Sequence, residues 1–160
     1  MTKTLKIDEG QALKLYKTAS NEFKQVLEDT FGKDYFNQKI TDKIQDLDDL
    51  FEYSGEDKLD VVIFKFPNNA FQKYINACAI IPRITQVYNE GEKLDWSNHS
   101  QSKYLPYYKK VGRPWVGTGF SGWGTCASCS VSHYFKSSEL CLDAVKKFND
   151  VYLDFYSYQG

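Results

Sequence analysis

The sequence predicts an α+β fold, with N-terminal helices and a C-terminal amphipathic helix packed on a small antiparallel sheet. Three observations predict it. Apolar residues recur at helical spacing through residues 11–89. They do so again from Ser137 to about Tyr156. Between these blocks, Asp95 to Phe135 loses the period and is dominated by Gly, Pro, Ser, Tyr and Trp, the composition of loops and short strands. With 160 residues, no internal repeat and no low-complexity linker, the chain is expected to form a single domain spanning 1–160. A domain of that size buries a core without needing a metal or a disulfide.

The elements follow in order. Gln11 to Ser20 reads as a short helix with Leu13, Leu15 and Tyr16 as its apolar positions. Ser20 is placed to cap the next helix, with Glu22 in its first turn. There Phe23, Val26, Leu27 and Phe31 share a face and Gly32 ends the run. Thr41 is expected to cap a third helix carrying Ile44, Leu47, Leu50 and Phe51, which Gly55 closes. The run 59–66, Leu-Asp-Val-Val-Ile-Phe-Lys-Phe, is β-branched and aromatic, so a short strand stopped by Pro67 is expected. A long helix follows from Asn69 to Asn89, with Phe71, Tyr74, Ile75, Cys78, Ile81, Ile84, Val87 and Tyr88 on its buried face. Pro82 is expected to kink or split it. Strands are expected near Tyr104–Lys110, Pro114–Phe120 and Ser128–Phe135. In the final helix, Leu140, Ala144, Val145, Phe148, Val151, Tyr152 and Phe155 form one stripe.

No apolar stretch is long enough to span a bilayer, and Met1 to Gly10 lacks the apolar core of a secretory signal, so a cytoplasmic location is expected. Cys78, Cys126, Cys129 and Cys141 are then expected to be reduced. Net charge is −1, which gives no overall attraction to nucleic acid. The distribution is uneven: residues 1–65 hold 14 acids and 10 lysines, residues 66–160 hold 7 acids and 10 bases, and residues 96–138 carry five bases and no acid.

Three patterns could carry chemistry, and each has a plainer reading beside it. Cys126-x2-Cys129-x3-His133-x7-Cys141 has zinc-ligand types, but its spacing is not that of a zinc knuckle, and Cys129 and His133 would face a core. The plainer reading is reduced structural thiols, zinc binding standing as the alternative, and no metal and no cofactor are expected. The same cysteines could pair as a redox dithiol, but polar, strand-like sequence follows them where a helix N-terminus is needed. Gly117-Thr-Gly119-Phe-Ser-Gly122 matches the dinucleotide fingerprint by letter but lacks the helix that must open within it, and reads as a glycine-rich turn. The only histidines are His99 and His133, there is no nucleophile elbow, and the acid pairs lie on polar faces. No catalytic residue is assigned.

Three blocks in order carry a resemblance. The first is Ala12-Leu-Lys-Leu-Tyr-Lys-Thr-Ala-Ser with Glu22-Phe-Lys, Phe31-Gly-Lys and Ile40-Thr-Asp-Lys-Ile. The second is Asn89-Glu-Gly with Asp95-Trp-Ser-Asn and Lys103-Tyr-Leu-Pro-Tyr-Tyr. The third is Gly119-Phe-Ser, Phe135-Lys-Ser-Ser-Glu-Leu, Phe148 and Tyr152-Leu-Asp-Phe. Together they resemble an uncharacterised family of short proteins encoded by phages and prophages of Bacteroidetes. The resemblance implies a mobile-element setting and the cytoplasm of a bacterial host; it brings no activity and no catalytic residues. Cys126-Ala-Ser-Cys129 departs from the family's pattern.

What remains is a stretch where rings alternate with cations: Trp96, Lys103, Tyr104, Tyr107, Tyr108, Lys109, Lys110, Arg113, Trp115 and Trp123. Stacking rings beside cations suit single-stranded nucleic acid, and Tyr, Trp and Arg are enriched at the energetic centres of protein interfaces. The expectation is a non-enzymatic phage or prophage accessory protein that binds a host protein or protein–RNA complex through these residues. Its sharpest form is anti-defence: an inhibitor of a bacterial immune effector of the CRISPR–Cas type. The alternatives are a single-strand nucleic-acid-binding protein of phage replication and a small zinc-binding or thiol enzyme.

Overall fold

A computed structural model of the chain describes residues 6–7, 9–98, 100–110, 115–123 and 131–159. The α+β expectation is overturned: the protein is mostly helical, with nine α-helices among the described residues. Among the described residues the expected sheet shrinks to one antiparallel pair of strands and one isolated bridge. Most of the packing is helix on helix.

Helices α1 (Glu9–Thr18), α2 (Asn21–Phe31) and α3 (Lys33–Asn37) form the N-terminal lobe. The Ser20 hydroxyl caps α2 by accepting from the Phe23 N–H, and Gly32 ends it at φ 86°, a backbone conformation that favours glycine. The Tyr16 ring stacks on Phe36 at 4.1 Å, and the Tyr16 hydroxyl donates to Glu28. The helix expected to begin at Thr41 is two helices, α4 (Ile40–Lys43) and α5 (Leu47–Ser54). Asp46 divides them because its carboxylate accepts from the N–H groups of Asp48 and Asp49 and so starts a new helix. Ile44, left between the two, is 1% exposed.

The strand expected over 59–66 is absent. Asp57 accepts from the Leu59 N–H and starts a one-turn helix, α6 (Lys58–Val61). Beyond it the Asn76 side chain does a neighbouring strand's work: its Oδ1 accepts from the Phe64 N–H (2.9 Å) and its Nδ2 donates to the Phe64 carbonyl (2.7 Å). β-propensity without a pairing edge does not make a strand.

The long helix, α7 (Ala70–Tyr88), starts at its Asn69 cap and is the axis of the molecule. It passes Pro82 without splitting; Ile80, Ile81 and Ile84 on either side of the proline are buried and hold it. Helices α4 to α6, α8 (Ser138–Lys147) and α9 (Asn149–Tyr156) pack on it. The C-terminal helix thus breaks at Phe148, which inserts edge-on against Tyr88 at 6.0 Å. Ile84, Leu50, Cys141, Ala144, Phe135 and Tyr152 lie at the centre of the core.

Strands β1 (Lys103–Lys110) and β2 (Trp115–Trp123) pair from Lys103 opposite Trp123 to Lys110 opposite Trp115. The register skips Thr118, so Gly117 and Gly119 flank an irregularity inside a strand rather than forming the expected turn. The hairpin leans on α8 and α9. Of the third expected strand, 128–130 lie outside the described residues, Val131–His133 is a 3-10 turn, and Phe135 exchanges two backbone hydrogen bonds with Tyr104 (3.0 and 2.8 Å).

Candidate functional site: an exposed apolar ledge on a helical domain

Among the described residues, the ring-and-cation stretch is divided between core and surface. Lys103 is 1% exposed. Its Nζ donates to the carbonyls of Asn98 (3.1 Å) and Gln101 (2.9 Å) and lies 5.4 Å from the Trp96 ring centre. It closes the 96–102 loop and presents no charge to a phosphate. Trp96 is half-buried, edge-on to Tyr134 at 5.2 Å. Tyr108 is buried, stacked on Tyr156 (5.0 Å) and donating to Asn149 Oδ1 (3.1 Å); burial pushes its phenol pKa up. Tyr104 is half-buried against the core. Tyr107 and Lys109, two apart on β1, are exposed. Lys110, Trp115 and Trp123 are placed in their strands by backbone, but their side chains, like Arg113, lie outside the described residues. Lys136, another base of the acid-free stretch, is engaged by Glu90 (3.5 Å) and Glu92 (3.0 Å).

Of the candidate metal residues, Cys126 and Cys129 lie outside the described residues, as does His99. Cys141 is fully buried in the core, and burial pushes its thiol up to about 12. Such a thiol stays protonated at neutral pH and is a poor nucleophile. His133 is buried edge-on to Phe155 at 5.3 Å, and desolvation lowers its pKa. No group of His, Cys, Asp and Glu among the described residues converges to hold a metal ion.

The surface that stands out lies elsewhere, between α6 and α7. Leu59 (53% exposed), Ile63 (66%), Phe66 (90%) and Phe71 (50%) project from one thirteen-residue segment. Its backbone is anchored at three points: the Asp57 cap, the Asn76 clamp on Phe64, and the Asn69 cap, which accepts from the Gln72 N–H at 2.9 Å. Val61 and Val62 turn inward onto the core. Phe64 is half-buried and the Phe71 ring rests against Tyr158 at 5.9 Å, which leaves Phe66 the most exposed of the large apolar groups. Beside them is a cleft of about 290 Å³, walled by Leu47, Val62, Phe64, Pro67, Ile80 and Val151, with Lys58, Lys65, Lys73 and Asp154 among its polar residues. Burial raises the Asp154 carboxyl and Lys73 pulls it back down. The sequence hid this surface because a buried strand and an exposed apolar loop have the same composition; the signal against a strand was Pro67-Asn68-Asn69, a terminator followed by a helix cap.

A second cleft, about 270 Å³ between α1, α5 and α7, holds Lys17, Tyr53, Glu56 and Glu90. Its carboxylates are committed: Glu56 to Arg83 (3.3 Å), and Glu90 to Lys17 (3.7 Å) and Lys136. Burial, and then Glu90, push the Tyr53 phenol up, so it is no base at neutral pH. Fold and surface therefore define a helical domain with an apolar ledge. No family model, curated protein or solved structure matches the chain. No helix among the described residues is long and apolar enough to cross a membrane.

Proposed function

We propose that this chain is a non-enzymatic binding protein that engages another protein through the ledge formed by Leu59, Ile63, Phe66 and Phe71. The observation that carries the reading is Phe66, an aromatic side chain 90% exposed on an anchored backbone. Clustered exposed apolar groups mark interaction sites, and phenylalanine is among the residues enriched at interface centres. Burying Phe66 against a partner contributes about 1.5–3 kcal/mol. The resemblance supports a phage or prophage setting, with the partner a protein or protein–RNA complex in the host cytoplasm. An immune effector of the CRISPR–Cas type is the sharper form of the same proposal.

The test is affinity capture from a Bacteroidetes host with tagged wild type and Phe66→Asp. Wild type is expected to retain one defined complex at a fixed ratio, and Phe66→Asp to lose it while keeping the wild-type thermal unfolding profile. Equal capture by both, or capture by neither, overturns the reading. Exposure of Tyr107 and Lys109 on one strand favours a second reading, single-strand nucleic-acid binding. It requires affinity for bare oligonucleotides that falls steeply with salt, and flat or absent binding removes it.

A further inference from the structure

We infer that the cleft beside the ledge takes a short apolar stretch of the partner protein flanked by carboxylates, an acidic amphipathic segment. This rests on the reading of the ledge as the binding face. Size limits the occupant first. At about 290 Å³ the cleft sits at the lower edge of the range for small-molecule sites, about 300–1,000 Å³. It has room for one or two apolar side chains of a larger body. Chemistry limits it next. The walls are mostly apolar, and the Asn76 carboxamide on them is occupied on both its oxygen and its nitrogen by the Phe64 backbone. Against these walls an occupant must bring apolar surface.

Charge decides the rest. Three lysines and one aspartate line the cleft. Lys58 is held by Asp48 at 3.2 Å. Lys65 and Lys73 are exposed and make no ion pair among the described residues. With Lys58 held by Asp48, Lys65 and Lys73 outnumber Asp154, on whose carboxyl Lys73 acts, and the resulting positive edge beside an apolar slot favours carboxylates next to the inserted side chain and repels a basic segment. Lysines beside exposed rings also suit an anionic bilayer, but residues 42–60, which lead into the ledge, carry eight carboxylates against two lysines. A broad anionic surface meets that acidic flank, whereas a short peptide reaches the cleft alone.

The test is selection of a random-peptide display library on the full chain, followed by fluorescence anisotropy of the best synthetic peptide. Enriched peptides are expected to place Asp or Glu beside large apolar residues. Binding is expected to fall about tenfold or more in Lys65→Glu/Lys73→Glu, and to weaken with salt. No enrichment, a basic or uncharged consensus, or unchanged binding by the double variant overturns the inference. So does a sedimenting dimer that Phe66→Asp dissociates, which makes a second copy the occupant, or Phe66-dependent binding to phosphatidylserine vesicles. Host capture that depends on Phe66 but is not competed by the acidic peptide sinks this inference alone. Host capture that ignores Phe66 sinks the reading beneath it.

Discussion

Replacing Asn89 with alanine removes two hydrogen bonds where the C-terminal end of α7 meets the segment leading into α8. Asn89 is 4% exposed. Its Nδ2 donates to the Tyr134 carbonyl (2.8 Å) and its Oδ1 accepts from the Lys136 N–H (2.9 Å). These bonds straddle Phe135, which is 0% exposed and pairs with Tyr104 of β1. Each bond is worth about 1 kcal/mol net, and a backbone group left buried without a partner costs about 1–3 kcal/mol. Asn89→Ala is therefore expected to cost about 2–4 kcal/mol. At about 2–4 °C per kcal/mol for a chain of this size, the midpoint falls by roughly 4–16 °C. Asn89→Asp keeps the acceptor for Lys136 but sets a carboxylate against the Tyr134 carbonyl, and is expected to cost at least as much at pH 7. Urea unfolding followed by circular dichroism gives the energies, and hydrogen exchange at the Phe135 amide gives the location. A loss below about 1 kcal/mol in the alanine variant, or exchange at Phe135 unchanged, refutes the reasoning.

Other outcomes follow from the same packing. Lys103→Met is expected to destabilise by about 1–3 kcal/mol by leaving the carbonyls of Asn98 and Gln101 short of a donor, whereas exposed Lys109→Met shifts stability by less than about 0.5 kcal/mol; equal effects in urea melts would return Lys103 to the surface. The Tyr152 hydroxyl is buried and has no hydrogen-bond partner among the described residues, so Tyr152→Phe is expected to be neutral or stabilising, by up to about 1 kcal/mol, in thermal unfolding; a clear loss means that the hydroxyl is satisfied. Burial holds His133 below its ordinary pKa of 6.5, so the unfolded chain takes up that proton first. The stability contributed by the neutral ring is complete above about pH 6.5 and falls as pH drops towards the folded pKa. The urea midpoint should decline from about pH 7.5 to 5.5, with a shallower slope in His133→Phe; parallel slopes contradict it. Cys141, with its thiol raised to about 12, is expected to resist iodoacetamide at pH 8 until the chain is unfolded, as read by peptide mass mapping.

Features governed by neighbours along the chain are legible without a fold. Ser20 before Phe23, Asn69 before Gln72, and Gly32 after Phe31 mark helix ends through bonds spanning a few residues, and the apolar stripes of α7 and α8 are visible from their period. The rest depends on contacts between segments far apart in the chain. The run 59–66 has strand composition, but a strand needs an edge to pair with, and Asn76, twelve residues past Phe64, supplies both hydrogen bonds instead. Lys103 and Tyr108 look like surface residues until Trp96, Tyr152 and Tyr156 close over them. Phe66 looks like core until the anchored backbone leaves it outside. Composition reports how much apolar surface a segment has; only the packing of distant segments decides which of it meets water.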